Sequence, residues 1–376
     1  MMKKRLFAAF VSLCMIVSML PAVAFADGSH GDHAGWTELS GTIEKDDLPA
    51  GNYVLTGDVT LDVSAWNMGE EGDEDESVVI CLNGHEIQGH GCNINISYCK
   101  DVTICDCTGS GKIRDALLEN ADLTDITLIG CDVSTNATAS LSNVQVSGGS
   151  ISAWGKLYIN DGCQINCDIT VNSSLYINGG YIGGYIRVDP TSYTSIYGGT
   201  IYGSITVQGG GSEGVLSAPG TLNIYGGEIN RAITVNGGIC NISGEDTIIQ
   251  GSTNSGYEVG VCVNSGTCNI TGGTISISDY TTTSGEATGA VVVKDGSCSI
   301  GGDAQITGCR IDNGGAVSVL GGTCTISGGN INKNNTKYGG VYVENGTCTI
   351  EEDASITSNQ AFDQGGGVYV EGGVCM

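Results

Sequence analysis

Along the second half of the chain, apolar and polar positions alternate in a pattern that returns every 24 to 30 residues. Six segments share the form V-x-V-x-x-G-x-C-x-I: ITVNGGICNI at 233–242, VCVNSGTCNI at 261–270, VVVKDGSCSI at 291–300, VSVLGGTCTI at 317–326, VYVENGTCTI at 341–350 and VYVEGGVCM at 368–376. Their starts are 28, 30, 26, 24 and 27 residues apart. Each unit holds two short strands of period two, a Gly turn between them, a third apolar stretch such as GGNIN or ASITSN, and Gly-Gly again. Three strands and three turns in about 25 residues predict one coil of a parallel β-helix.

Alternation places Val, Val, Cys and Ile of each unit on one face. Stacked coils lie about 4.8 Å apart, so these positions become ladders, with Cys240 over Cys268, Cys298, Cys324, Cys348 and Cys375. A further ladder of small polar residues is expected where the third strand ends: Ser252, Ser278, Cys309, Asn334 and Asn359. Asn at such a turn can bond both its own turn and the neighbouring coil. Upstream, pairs starting at Ile151, Ile169, Ile186 and Ile205 repeat in steps of 18, 17 and 19, with Leu157, Leu175 and Leu222 in place of Cys. No coil can bury its apolar face alone, so the core exists only as a stack.

The expected fold is therefore all-β: a single-stranded right-handed parallel β-helix of roughly a dozen coils. The long, irregular C-terminal coils suit the right hand, whereas coils of about 18 residues also suit a left-handed hexapeptide helix. The expected organisation is a signal peptide at 1–26, an N-terminal extension at 27–50, capping and first coils at 51–150, short coils at 151–232 and Cys-ladder repeats at 233–376. The last unit stops mid-strand at Met376, and an open strand edge templates aggregation, so the natural chain is expected to continue into further C-terminal domains.

Composition narrows the function classes. Among 376 residues, 61 Gly rule out a helical bundle and 4 Pro rule out collagen. With 40% hydrophobic and 15% charged residues, the chain can bury a core and is not a disordered one. The net charge of −27 repels phosphate backbones, so nucleic acid is not an expected partner. Lys3-Lys4-Arg5, an apolar run to Leu20 and the small-residue site Ala24-Phe25-Ala26 have the order of a cleaved secretory signal. Its removal takes away three cations and no acid, leaving −30, and no later segment is apolar enough to span a membrane. A secreted or surface-associated protein with no membrane insertion is expected.

The units GG-[AV]-V (Gly314 to Val317, Gly339 to Val341), preceded by I-x-x-N (Ile331 to Asn334, Ile356 to Asn359), resemble the repeats of polymorphic outer-membrane proteins and of Gram-positive secreted β-helix surface proteins. The segments LPAGNYVLTGDVTLD at 48–62, VVICLNGHEIQG at 78–89 and VTICDCTGSGKI at 102–113 are similar to the opening coils of those surface proteins. The resemblance implies a surface context within the wider pectate-lyase-like superfamily, which holds adhesins as well as polysaccharide lyases and hydrolases, and fold alone does not choose among them.

Enzymes of that superfamily carry outward catalytic groups on adjacent coils. The middle residues of the V-x-V strands, expected to face outward, are Ser152, Thr170, Arg187, Thr206, Thr234, Cys262, Val292, Ser318, Tyr342 and Tyr369, with no carboxylate. Asp168 and Asp189 flank Arg187, which a surface ion pair explains. Gly89-His90-Gly91 matches the G-H-G of polygalacturonases, but the paired aspartates are absent and the basic motif is reversed as Lys112-Ile113-Arg114. No catalytic residue is expected.

His30-Gly-Asp32-His33 lacks a fourth metal ligand and reads as a mobile N-terminus; the acids from Glu70 to Glu76 read as a solvated loop. The repeat cysteines read as a buried reduced ladder, with Cys262 the most reactive thiol and metal binding at Cys105 and Cys107 a lesser alternative. No cofactor or metal is expected. Tyr crowds into the short coils, and Tyr158, Tyr176, Tyr181, Tyr185 and Arg187 form the expected binding site for an extracellular glycan or a host or matrix protein. Exposed aromatic rings offer contact area at low entropic cost, the alternative being cross-strand packing that shields the sheet.

Overall fold

The computed structural model describes residues 33–70, 75–96, 99–210, 217–251, 259–277 and 288–376. The signal segment 1–26, His30, Asp32, Glu71, Asp73, Glu74, Ser252 and Ser278 lie outside the described residues. Residues 33–35 belong to an N-terminal unit that ends at Gly35, and Trp36–Met376 forms the second unit. That second unit is a parallel β-helix. It is all strand and turn, and its large sheet is parallel throughout.

A short coil uses Ile186–Val188 on a first face, Tyr193–Ile196 on a second and Thr200–Ile201 on a third, and the next coil begins at Ile205–Gln208. β-Branched residues dominate these strands because they fit a pleated, packed surface. On the second face an inward row runs unbroken through Thr37, Tyr53, Ile80, Ile104, Leu123, Leu141, Ile159, Ile177, Ile196, Ile224, Ile242, Ile270, Ile300, Ile326 and Ile350. The stack thus has a few more coils than the dozen expected. The Cys ladder lies two residues before it on the same side of the strands: Cys240, Cys268, Cys298, Cys324, Cys348 and Cys375 are register partners in turn. Upstream its row continues through Leu222, Thr194, Leu175 and Leu157, so one buried Thr interrupts the leucines. None of the sixteen described cysteines is in a disulfide.

The described part of the turn ladder, Cys309, Asn334 and Asn359, forms between coils. Asn334 is buried, its Oδ1 accepts from Cys309 N at 2.9 Å, and its Nδ2 donates to Ile306 O at 3.0 Å and to Asn359 Oδ1 at 2.9 Å. Asn359 repeats the arrangement, donating to Ile331 O at 2.8 Å. Each Asn side chain thus satisfies backbone N–H and C=O groups of the preceding coil, rather than of its own turn.

Three features differ from the sequence reading. First, the long coils carry a fourth strand: Arg310–Ile311, Asn335–Thr336 and Gln360–Ala361 form a separate parallel sheet, which takes up residues that short coils lack. Second, the middle row of the first face is not outward-exposed in the C-terminal coils: Cys262, Val292, Ser318 and Tyr342 are buried. Neighbouring residues cover them. Ser318 Oγ donates to Thr288 O at 2.6 Å and accepts from Gly315 N at 3.0 Å, and Val292 and Cys262 cluster with Val259 and Leu320. Cys262 is therefore shielded rather than presented as a reactive thiol. Third, the inward positions hold more than the Val, Cys, Ile and Leu of the repeat units, since Trp66 and Met68 are fully buried in the N-terminal coils.

Candidate functional site

The second face, between its inward rows, carries two outward rows, within which Ser195 and Asn223 are covered by their neighbours. One runs Thr138, Lys156, Ser174, Tyr193, Thr221, Ile239, Thr267, Ser297, Thr323 and Thr347. The other runs Ser140, Tyr158, Tyr176, Ser195, Asn223, Asn241, Asn269, Ser299, Thr325 and Thr349. In a chain of net charge −27, Lys156 is the one charged residue in these rows and Ile239 the one aliphatic residue. Amides in register bond each other, with Asn241 Nδ2 donating to Asn223 Oδ1 and Asn269 Nδ2 to Asn241 Oδ1, both at 2.8 Å. The face is a ribbon of neutral hydroxyls, amides and phenols, held flat by the sheet beneath it.

Tyrosines gather at its upstream half. The rings of Tyr158 and Tyr176 stack with centroids 4.8 Å apart and planes 14° apart, and Tyr193 follows at 6.2 Å, tilted by 51°. At the corner that follows this face, Tyr197 and Tyr225 stack at 5.1 Å. Tyr225 reaches back to Tyr193: burial first, and then a hydrogen bond with Tyr193, push its phenol up. Burial, with Tyr158 beside it, does the same for Tyr176. These phenols remain neutral hydrogen-bonding groups well above physiological pH. Because Tyr158 and Tyr176 use their ring faces on each other, they present ring edges and hydroxyls to a ligand, while Tyr197 and Tyr225 stand about half exposed.

Of the residues expected to form one site, only Tyr158 and Tyr176 share this face. Tyr181 lies on the third face, paired with Tyr202 at 5.4 Å, and Tyr185 sits exposed at the turn between the third and first faces. Arg187 is on the first face, where its Nε is 2.6 Å from Asp189 Oδ1. Asp168 does not bond Arg187; its carboxylate accepts from Tyr185 N at 2.9 Å. A helical winding separates residues close in sequence onto different faces, so a run of neighbouring tyrosines becomes a belt around the solenoid rather than a pocket.

Upstream of Ser140 the row reaches Asp122, which accepts from Ser140 N at 2.6 Å and whose carboxyl is pushed up by burial, the Ser140 bonds opposing. Asp122 lines a groove of about 210 Å³ with Lys100, Asp101, Asn120 and Thr138. His90 is held at φ 51°, and Arg114 of the reversed basic motif is tied to Glu86 at 2.8 Å. An aromatic cluster in the last coils was not singled out from the sequence. Tyr338 stacks on Tyr342 at 4.4 Å and on Tyr369 at 5.0 Å, with the Lys337 ammonium 4.7 Å from the Tyr338 ring centre. The matching positions of Tyr342 and Tyr369 in V-Y-V were the available signal; Tyr338 joins them only because its segment folds back.

No family model matches this chain, and no curated protein or solved structure matches it either.

Proposed function

We propose that the protein is an exported surface β-helix that binds an extended, uncharged glycan along its second face without cleaving it. The observation that carries this reading is the ribbon from Thr138 to Thr349, free of acidic residues and bearing Lys156 as its one charge, on an otherwise strongly acidic molecule. Hydroxyl, amide and phenol groups at a repeat of about 4.8 Å match a polymer that offers hydroxyls at regular intervals. Tyr supplies both an apolar body and a polar tip for such contacts. Acidity elsewhere keeps a long repetitive protein soluble and discourages self-association. The repeat resemblance to Gram-positive secreted surface proteins and the export signal support a location outside the cell.

The test is retention of the mature protein on immobilised neutral and uronate polysaccharides, with and without calcium, with assay of released ends. Retention on a neutral polysaccharide without turnover is expected. Tyr158→Ala combined with Tyr176→Ala should weaken it about tenfold, since each aromatic contact is worth roughly 0.5–1.5 kcal/mol. Release of new chain ends would establish an enzyme instead. Undiminished binding by the double variant would move the site off this face.

A further inference from the structure

The corner row that carries Tyr197 and Tyr225 begins, many coils earlier, with sulfur. Cys81 and Cys105 are register partners on adjacent coils, followed in the same row by Thr124 and Ser142. These thiols differ from the Cys ladder of the core, because they lie on the outer side of their strands, in a small cluster with Val54 against which Trp36 and Cys107 pack. Two residues beyond each strand position come Asn83 on one coil and Cys107 on the next. The result is a Cys-x-Asn turn lying over a Cys-x-Cys turn.

Two separations among these turns suit the ligands of a metal ion. Cys107 Sγ is 3.5 Å from Cys81 Sγ and 3.6 Å from Asn83 Oδ1. A disulfide would bring sulfurs to about 2.05 Å. Four ligands around zinc at about 2.3 Å for sulfur and 2.1 Å for oxygen stand roughly 3.6–3.8 Å from one another, which are the edges of the tetrahedron. The separations of Cys107 from Cys81 and Asn83 therefore lie near such edges, while the Cys105 thiol turns to Ile80 O at 3.6 Å.

The surroundings also hold the set in place. Asn83 adopts φ 48°, an uncommon backbone state for a residue other than Gly, and its Nδ2 donates to Leu55 O at 3.1 Å, which turns Oδ1 toward Cys107. Between the two cysteines of the C-x-C, buried Asp106 accepts from Gly84 N at 2.6 Å, Ser110 N at 2.8 Å and Gly111 N at 3.0 Å. That carboxylate ties the turn bearing Asn83 to the loop bearing Cys107. Outer partners that orient ligands in this way are a recurring feature of metal sites.

We propose that the thiolates of Cys81 and Cys107, with the amide oxygen of Asn83, bind one borderline-soft divalent ion of the zinc class per chain. Thiolate sulfur selects such ions over calcium and magnesium. Binding releases thiol protons, so affinity rises with pH. The ion would clip two adjacent coils together near the start of the solenoid, where few coils have yet accumulated to support one another.

The test uses the mature chain, purified anaerobically with reductant and stripped with a chelator. Co²⁺ titration should give one equivalent with tetrahedral visible bands and an intense sulfur-to-metal band, displaced by one equivalent of Zn²⁺. Cys107→Ser should lower Zn²⁺ affinity at least tenfold and diminish the sulfur band, Asn83→Ala should weaken binding while keeping that band, and Cys375→Ser should change neither. Zn²⁺ should raise the thermal midpoint of the wild-type protein, a readout that requires no variant to fold. Absence of the sulfur band, an undiminished band in Cys107→Ser, a wild-type midpoint indifferent to Zn²⁺, or a disulfide within the cluster after anaerobic purification would each overturn the proposal.

Discussion

Asn334 and Asn359 occupy the same turn of successive coils, and the amide nitrogen of the first donates to the amide oxygen of the second at 2.9 Å. The same Asn334 oxygen receives the Cys309 N–H, so one side chain serves three coils. Asn334→Ala should destabilise the protein by about 2–4 kcal/mol, because it leaves buried backbone groups unsatisfied. Asn334→Asp should not rescue it, as the carboxylate cannot donate. Urea denaturation midpoints of the mature protein check both.

Asp106 gives a pH signature. Burial alone would raise its carboxyl, but the N–H groups of Gly111 and Gly84, the Thr108 hydroxyl and the Ser110 N–H outweigh it and hold the carboxyl below the usual carboxylate range. A group depressed in the folded state contributes stability above its unfolded value, near pH 3.9, and loses it as pH falls through the folded value. Asp106→Asn should cost roughly 1.5–3 kcal/mol at neutral pH and flatten the loss of stability below about pH 4. Denaturant midpoints of both proteins across pH 2.5–7 would show parallel curves if Asp106 played no part.

The core thiols should be inert. Neighbouring ladder thiols and burial push Cys268, Cys298 and Cys324 well above the ordinary thiol range. Alkylation of the native protein at neutral pH should mark part-exposed Cys375 before any of these three. Peptide mapping after a short pulse of iodoacetamide reads the order.

Coil spacing sets another limit. A Cβ on Gly203 would stand 1.6 Å from Gly184 O on the adjacent coil, and one on Gly184 would stand 1.9 Å from Cys167 O. Gly203→Ala should therefore force neighbouring coils apart and cost at least about 2 kcal/mol, whereas Gly308→Ala, at a site open to solvent, should show only the smaller strain of its φ of +70°. Thermal unfolding of the two variants separates crowding from backbone strain.

The tyrosine stack carries a stability component as well as a binding one. Tyr176→Leu keeps apolar bulk but removes both ring contacts, so a loss of about 0.5–1.5 kcal/mol is expected. A double-mutant cycle with Tyr158→Leu should show positive coupling; additive losses would mean the rings contribute only by burial.

By itself the sequence determined the repeat, the inward rows and the turn ladder. Parallel stacking brings each residue beside its counterpart one coil away, so alternation along a strand and recurrence between units together define a three-dimensional register. Cys240 over Cys268 and Asn334 over Asn359 follow from that rule alone. Only the tertiary structure decided what happens between the repeating strands. Coil lengths of 24 to 30 residues leave variable connections, and where these pack is not encoded by any period. They cover Ser318, bring Tyr338 onto Tyr342, and distribute Tyr158, Tyr181 and Arg187 over three faces. The meeting of Cys81 and Asn83 with Cys105 and Cys107 is of the same kind: it depends on two turns just past the strand ends, held together by one buried carboxylate, where neither periodicity nor spacing reaches.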